Sequence, residues 1–171
     1  MYLFAYKYTN NMKKLILFLL FINFVVYGQK KLPNLNVKNL DEKLISLQKD
    51  FSEKDKLYVF SFWATWCSPC IQELDEISEV YEDWKKELNI EIVAVSTDDS
   101  RTQKRVKPLV NGKGWDFTVL LDTNQEFKRN MGISNVPYLI VVKNEEIVFI
   151  QNGHSPGGAE SLFEDLKKIK K

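Results

Sequence analysis

Trp63-Ala64-Thr65-Trp66-Cys67-Ser68-Pro69-Cys70 is the stretch that decides how the rest of the chain is read. It follows an apolar, strand-like run over residues 57–62 and leads into a helical pattern, so both cysteines belong where a buried strand hands over to a helix. They are the only two cysteines in the protein. At i and i+3, with the first thiol at the helix cap and the second one turn in, the sulfurs come within disulfide reach. The first thiol faces the free N–H groups of the helix start, whose partial positive charge stabilises a thiolate. Cys67 is therefore the candidate nucleophile. Cys70, deeper and less exposed, is the group expected to attack a mixed disulfide formed on Cys67. A structural zinc site needs four ligands, more than two cysteines and the single distant histidine, His154, can supply. Covalent haem attachment would need histidine directly after the second cysteine, where Ile71 stands. No metal or organic cofactor is expected. An inert staple is the structural alternative for the pair, although so short a loop constrains the unfolded chain little.

The chain has 171 residues, 44% of them hydrophobic and 27% charged, which suits one globular domain with an ample core. Lys7, Lys13 and Lys14 are the only charges before Gly28, so the net charge of +1 becomes −2 once that segment is removed. A near-neutral product gives no electrostatic case for nucleic acid or for an anionic membrane surface. Met12-Lys13-Lys14 followed by an apolar run over residues 15–27 has the layout of a secretory signal, and the run is short for a membrane span, which needs about 20 residues. Val26 and Gly28 offer small residues at a cleavage site before Gln29. Residues 1–28 are thus expected to be a signal peptide, with Met12 as an alternative start, and residues 29–171 the mature domain outside the cytoplasm. An uncleaved anchor is the other reading of this segment.

Residues 34–38 and 43–47 alternate apolar and polar side chains, as a small hairpin does. From Pro69 to Leu88, apolar residues fall in three- and four-residue steps at Ile71, Leu74, Ile77, Val80, Tyr81, Trp84 and Leu88, which predicts a long amphipathic helix with Pro69 in its first turn. Residues 90–96 form a second buried strand, giving a parallel strand–helix–strand unit with a right-handed crossover. The cysteines then lie at the carboxyl end of a central strand, the edge where open α/β sheets place their sites. Residues 97–100 read as a cap for a helix from Arg101 to Val110 that Pro108 cuts short, and residues 111–114 as a turn. A short strand at 117–121, a short helix over 124–131 capped by Asp122 or Thr123, a hairpin of 138–142 with 146–150, and an amphipathic closing helix over 157–171 complete the chain.

With the strand, the Phe62-Trp63-Ala64-Thr65-Trp66-Cys67-Ser68-Pro69-Cys70 run, the strand–helix–strand unit and a proline opening the penultimate strand in place, the chain resembles the thioredoxin superfamily. Within it, the likeness is to the TlpA/ResA-like exported thiol–disulfide oxidoreductases, from about Leu32 to the C-terminus. The resemblance implies an α/β, thioredoxin-like fold: a central mixed β-sheet flanked by helices, with an N-terminal β-hairpin and a helical segment inserted between Ser96 and Phe117. It implies that Val136-Pro137 carries the family's cis-proline, beside which a bound substrate pairs like an added strand, and that Trp66 and Pro69 line the same substrate-binding surface. Ser61 departs from cytosolic thioredoxins, which keep a buried aspartate there as a proton acceptor; Glu73, three residues after Cys70, takes that role by likeness to the ResA-like branch, the alternative being a solvated surface glutamate. Tyr138 stands where a small threonine is frequent, and His154 has no partner in the sequence and reads as a loop residue.

The expected activity is disulfide reduction in exported proteins, on the periplasmic side or at the outer face of the cytoplasmic membrane. Partners implied are protein disulfide substrates such as apocytochromes c and an upstream thiol electron donor; the protein is expected to be a monomer. A peroxiredoxin-like peroxidase is the enzymatic rival, but that chemistry needs a threonine and an arginine around a lone peroxidatic cysteine. A noncatalytic thioredoxin-fold binding domain is the rival of another class.

Overall fold

The computed structural model describes residues 31–171, so the signal segment read in residues 1–28 lies outside the described residues. One seven-stranded sheet organises the domain. Its strands are β1 (Asn36–Asn39), β2 (Leu44–Ser46), β3 (Leu57–Trp63), β4 (Ile90–Ser96), β5 (Thr118–Leu121), β6 (Tyr138–Lys143) and β7 (Glu146–Asn152), in the order β2-β1-β5-β4-β3-β6-β7. β3 runs parallel to β4, and β4 to β5, while the remaining neighbours are antiparallel, so the sheet is mixed. The expected N-terminal hairpin is β1 with β2, joined to the sheet through β5.

β3 is buried along its whole length because β4 and β6 flank it and helices or aromatic side chains cover both faces. Its side chains alternate between the faces, as a period of two requires. Tyr58, Phe60 and Phe62 join an aromatic core with Phe51 and Phe127, whose rings meet edge to face at about 5–6 Å. Leu57, Val59 and Trp63 point to the opposite face, under helix α1 (Ser68–Leu88). Ser61 is the polar residue on that second face, turned toward the helix that carries the cysteines.

α1 begins where the sequence pattern places it. Cys67 is its N-cap with extended backbone, Pro69 sits in the first turn where no N–H is required, and Asn89 ends the helix in a left-handed conformation. Its buried stripe is Cys70, Glu73, Leu74, Ile77, Tyr81, Trp84 and Leu88. α4 (Gly158–Lys170) packs beside α1, with the rings of Trp84 and Phe163 stacked at 5.2 Å.

The inserted segment differs from expectation in two ways. Residues 103–105 form a single 3-10 turn and the α-helix after it, α2 (Val106–Lys113), runs past Pro108. Pro108 is the third residue of α2, where a backbone N–H has no partner within the helix, so the ring stops nothing. Residues 111–113, expected as a turn, are the last helical residues, and Gly114 at φ 67 closes the helix by donating its N–H to the carbonyls of Asn111 and Val110. The short helix α3 (Glu126–Asn130) is held at its start by Asp122, whose carboxylate accepts the N–H groups of Phe127 and Lys128 at 3.0 and 2.8 Å. The β6–β7 hairpin turns through Asn144 and Glu145, both at positive φ, as a two-residue turn matched to strand twist demands.

Candidate active site

Cys67 and Cys70 form a disulfide with their Cα atoms 5.3 Å apart, at the start of α1 and at the carboxyl end of β3. Cys67 retains 5% exposure and Cys70 none, the order expected of a thiol that meets a partner and one that works behind it. The turn between β3 and α1 is tied down from β4: Asp98 accepts the backbone N–H of Thr65 at 2.8 Å and the Thr65 hydroxyl at 2.6 Å, and receives the Ser96 hydroxyl at 2.9 Å. Asp98, expected as part of a helix cap, instead fastens this turn, and neither the 3-10 turn nor α2 that follows has a side-chain cap; Asp99 accepts the N–H of Arg101 within the intervening turn. Trp66 stands 63% exposed beside the cysteines, and Pro69 is exposed on the next turn.

Glu73 is not on the solvated surface. One turn after Cys70, it is 3% exposed and faces β3, where the Ser61 hydroxyl donates to its Oε2 at 2.9 Å. Its other oxygen, Oε1, is buried with no hydrogen-bond partner. Burial pushes this carboxyl up to about 7; the Ser61 hydrogen bond pulls the other way, and the nearby Glu76 adds to the upward push. A carboxyl of this kind can hold or accept a proton near neutral pH. Ser61, which in the sequence marks only the loss of an aspartate, is thus the donor that orients the Glu73 carboxyl.

The Val136–Pro137 peptide bond is cis. Val136 packs against the cluster that contains Cys67 and Cys70, Pro137 is buried and Tyr138 is half-buried behind it. The Pro137 carbonyl accepts the N–H of Gly153 at 2.9 Å, tying this segment to the loop after β7. That loop carries His154, and here the structure corrects the sequence-based expectation. The His154 side chain is 2% exposed and its Nε2 lies 3.4 Å from Glu76 Oε1, so the histidine is a buried neighbour of α1. Nothing in the sequence signals the pairing, because Glu76 and His154 meet only once β7 has folded back over the sheet. A groove of about 660 Å³ lies elsewhere, between the N-terminal hairpin and the α2 and α3 region, lined by Leu40, Leu44, Lys104, Lys107 and Phe127 among others, and none of the candidate site residues lines it.

The AhpC/TSA family model matches residues 29–151, a stretch that runs from before β1 to the penultimate residue of β7. The chain belongs to the AhpC/TSA family. It is 35% identical over 140 residues to the thiol-disulfide oxidoreductase ResA of Bacillus thuringiensis subsp. konkukian, a match that covers 82% of this chain and 77% of that one. The solution structure of a thioredoxin-like protein from Porphyromonas gingivalis superposes with a TM-score of 0.71 at 38% identity, covering 81% of this chain and 90% of the other. The crystal structure of StoA from Bacillus subtilis shares the fold at 23% identity, with a TM-score of 0.61 and coverage of 77% and 98%. The fold of this chain is therefore thioredoxin-like, as the Trp-Cys-Ser-Pro-Cys run and its surroundings imply.

Proposed function

We propose that the protein is an exported thiol–disulfide oxidoreductase that reduces disulfides in protein substrates through the Cys67–Cys70 dithiol. The observation that carries this reading is a vicinal cysteine pair at a helix start, backed one turn later by a buried carboxyl with a free oxygen. The relatives named thiol–disulfide oxidoreductases support the same chemistry. In the reduced protein, the Cys67 thiolate attacks one sulfur of a substrate disulfide and the substrate's other sulfur leaves as a thiolate. The Cys70 thiol then gives its proton to the Glu73 carboxylate and attacks Cys67 Sγ. The second substrate sulfur departs, and two electrons have passed to the substrate while the Cys67–Cys70 disulfide forms. An upstream dithiol donor must return the pair to the reduced form.

Trp66, Pro69, Val136 and Pro137 are proposed to seat the extended substrate segment, with Val136 offering backbone hydrogen bonds; that Val136 packs against the cluster containing Cys67 supports this. The basic and apolar layout of residues 12–28 supports export. Reduction rather than oxidation is favoured by the motif: Ser68 and Pro69 bring no positive charge to the Cys67 thiolate, so the helix start alone stabilises it. Proteins whose cysteines must be free before they accept another group, apocytochromes c among them, are the substrate class this suits.

The test joins trapping to a potential. Cys70→Ser is expected to accumulate mixed disulfides on Cys67 and Cys67→Ser none; the reverse would exchange the two roles. In glutathione buffers the pair is expected to equilibrate below about −180 mV, the region of disulfide isomerase, and a higher value would overturn the reductive direction.

A further inference from the structure

The free oxygen of Glu73 has company. Glu76 Oε2 and His154 Nε2 are also buried without a hydrogen-bond partner, and both belong to one contact beside Glu73, one turn further along α1. Glu76 Oε1 accepts the N–H of Gly157 at 3.1 Å and lies 3.4 Å from His154 Nε2, so a single carboxylate oxygen joins α1 to the loop that leads into α4. The imidazole is confined there: a side chain at Gly158 would come within 3.4 Å of His154 Nδ1. The preceding residue, Gly153, is hydrogen-bonded to the carbonyl of Pro137. The same short loop therefore touches the cis-proline segment at one end and the Glu73 face of α1 at the other.

We propose that Glu76 and His154 form a positioning pair, the imidazole buried and the carboxylate half-buried, that sets the proton affinity of Glu73 and through it the readiness with which Cys70 is deprotonated. This rests on the reading of Glu73 as the proton acceptor of Cys70. The groups that face Glu73 are few. Glu76 and Cys70 share its helix; β3 contributes the Ser61 hydroxyl; the register neighbours of Ser61 are the apolar Ala94 on β4 and Leu139 on β6. From α4, Lys167 pairs with Glu87 of α1, about three turns further down the helix, too far along to compensate Glu76. Lys113 of α2 pairs with Asp75 of α1, and among the described residues His154 is the cation-forming side chain that reaches Glu76.

An ionised Glu76 repels a second negative charge and so holds the proton on Glu73. When His154 carries its proton, it compensates Glu76, the repulsion weakens, and Glu73 keeps its ionised form to lower pH. When His154 is neutral, Glu76 acts on Glu73 unopposed. A cationic His154 and the Glu76 carboxylate thus act on Glu73 in opposite directions through one contact.

The measurement is a titration of the Glu73 carboxyl by carbon NMR in the reduced protein, its resonance assigned by its loss in Glu73→Gln, together with the pH profile of mixed-disulfide resolution by Cys70. Glu76→Gln keeps an oxygen for the Gly157 N–H and should move the Glu73 midpoint down. His154→Gln leaves the Glu76 charge uncompensated and should move it up, each by at least about half a pH unit. Shifts of opposite sign from the two ends of one contact are what a purely structural role does not produce. Two shifts in the same direction, or none, would overturn the pair. Should either variant fold poorly, the other decides by the sign of its own shift, and a shift of the wrong sign or none would overturn the pair. If Glu73→Gln leaves the rate profile untouched, the acceptor reading itself fails. A slowed Glu73→Gln with unmoved midpoints in the other two variants removes only the pair.

Discussion

Of the carboxylates buried near the carboxyl ends of the parallel strands, Asp98 and Glu73 are treated in opposite ways. Asp98, at 1% exposure, receives three hydrogen bonds: the N–H and hydroxyl of Thr65 and the hydroxyl of Ser96. Glu73, at 3%, receives one, and its second oxygen meets no donor. A carboxylate whose lone pairs are filled is a clamp, here fastening the turn that presents Cys67 to the end of β4. One left short of donors in an apolar setting is costly to ionise, and the proton it holds near neutral pH is the consequence. The difference separates a carboxylate that holds the cysteine turn in place from one that the proposed function asks to take up a proton.

The comparison breaks hardest at Glu73. Replacing it with glutamine removes the acceptor, and we expect mixed-disulfide resolution near neutral pH to slow about 10²-fold, the lower end of what a general base contributes. The same change should alter stability with a definite sign. Glu73 titrates near 4.5 when exposed and at about 7 in the folded protein, so between those values the folded form holds a proton that the unfolded chain has released. Stability is therefore greatest below pH 4.5 with respect to this group and declines as pH rises through 7, by about 3 kcal/mol at 1.36 kcal/mol per pKa unit. Chemical unfolding at pH 5 and pH 8 should show that decline in the parent protein and its loss in Glu73→Gln. An unchanged slope would mean that Glu73 is better solvated than its burial indicates.

That Glu73 and Asp98 differ cannot be read along the chain. The cysteine pair, β3, α1 and β4 are legible because their signals are local: a fixed spacing, a proline in the first turn, and apolar periods of two and of three to four. The donors that distinguish the carboxylates come from elsewhere. Ser61 reaches Glu73 across 12 residues and Thr65 reaches Asp98 across 33, so each contact exists only after the strand–helix–strand unit has closed. His154 is further still: the sequence places it correctly in a loop but carries no sign that the loop buries it. Pro108 misleads for a related reason: whether a proline stops a helix depends on how many turns precede it, and the start of α2 is fixed by packing of Val106 and Val110 rather than by a local cap.

Asp98→Ala tests the other half of the comparison and should act on stability rather than on the proton. Three donors around a buried site would lose their acceptor, which costs about 2 kcal/mol in unfolding free energy. The pH midpoint of Cys70 reactivity should stay where it is. If the midpoint moved instead, Asp98 would be acting on the same proton as Glu73, and the division between clamp and acceptor would be wrong.

The smallest effect is the most discriminating. Ser61→Ala removes the hydroxyl that donates to Glu73 and leaves the carboxyl with no donor at all, since Ala94 and Leu139 flank that position in the sheet. The hydrogen bond favours the ionised form, so its loss should raise the Glu73 midpoint further above 7, by about one pH unit for an interaction worth roughly 1.4 kcal/mol. Resolution of mixed disulfides would then be slow at pH 7 and return to the parent rate by about pH 9, once the carboxyl is ionised again. Glu73→Gln would show no such recovery, because it has no carboxyl to ionise. Equal rates for Ser61→Ala and the parent at pH 7 would mean that the hydroxyl does not hold the ionised form, and that the contrast between a donor-rich and a donor-poor carboxylate does not govern which of the two exchanges its proton.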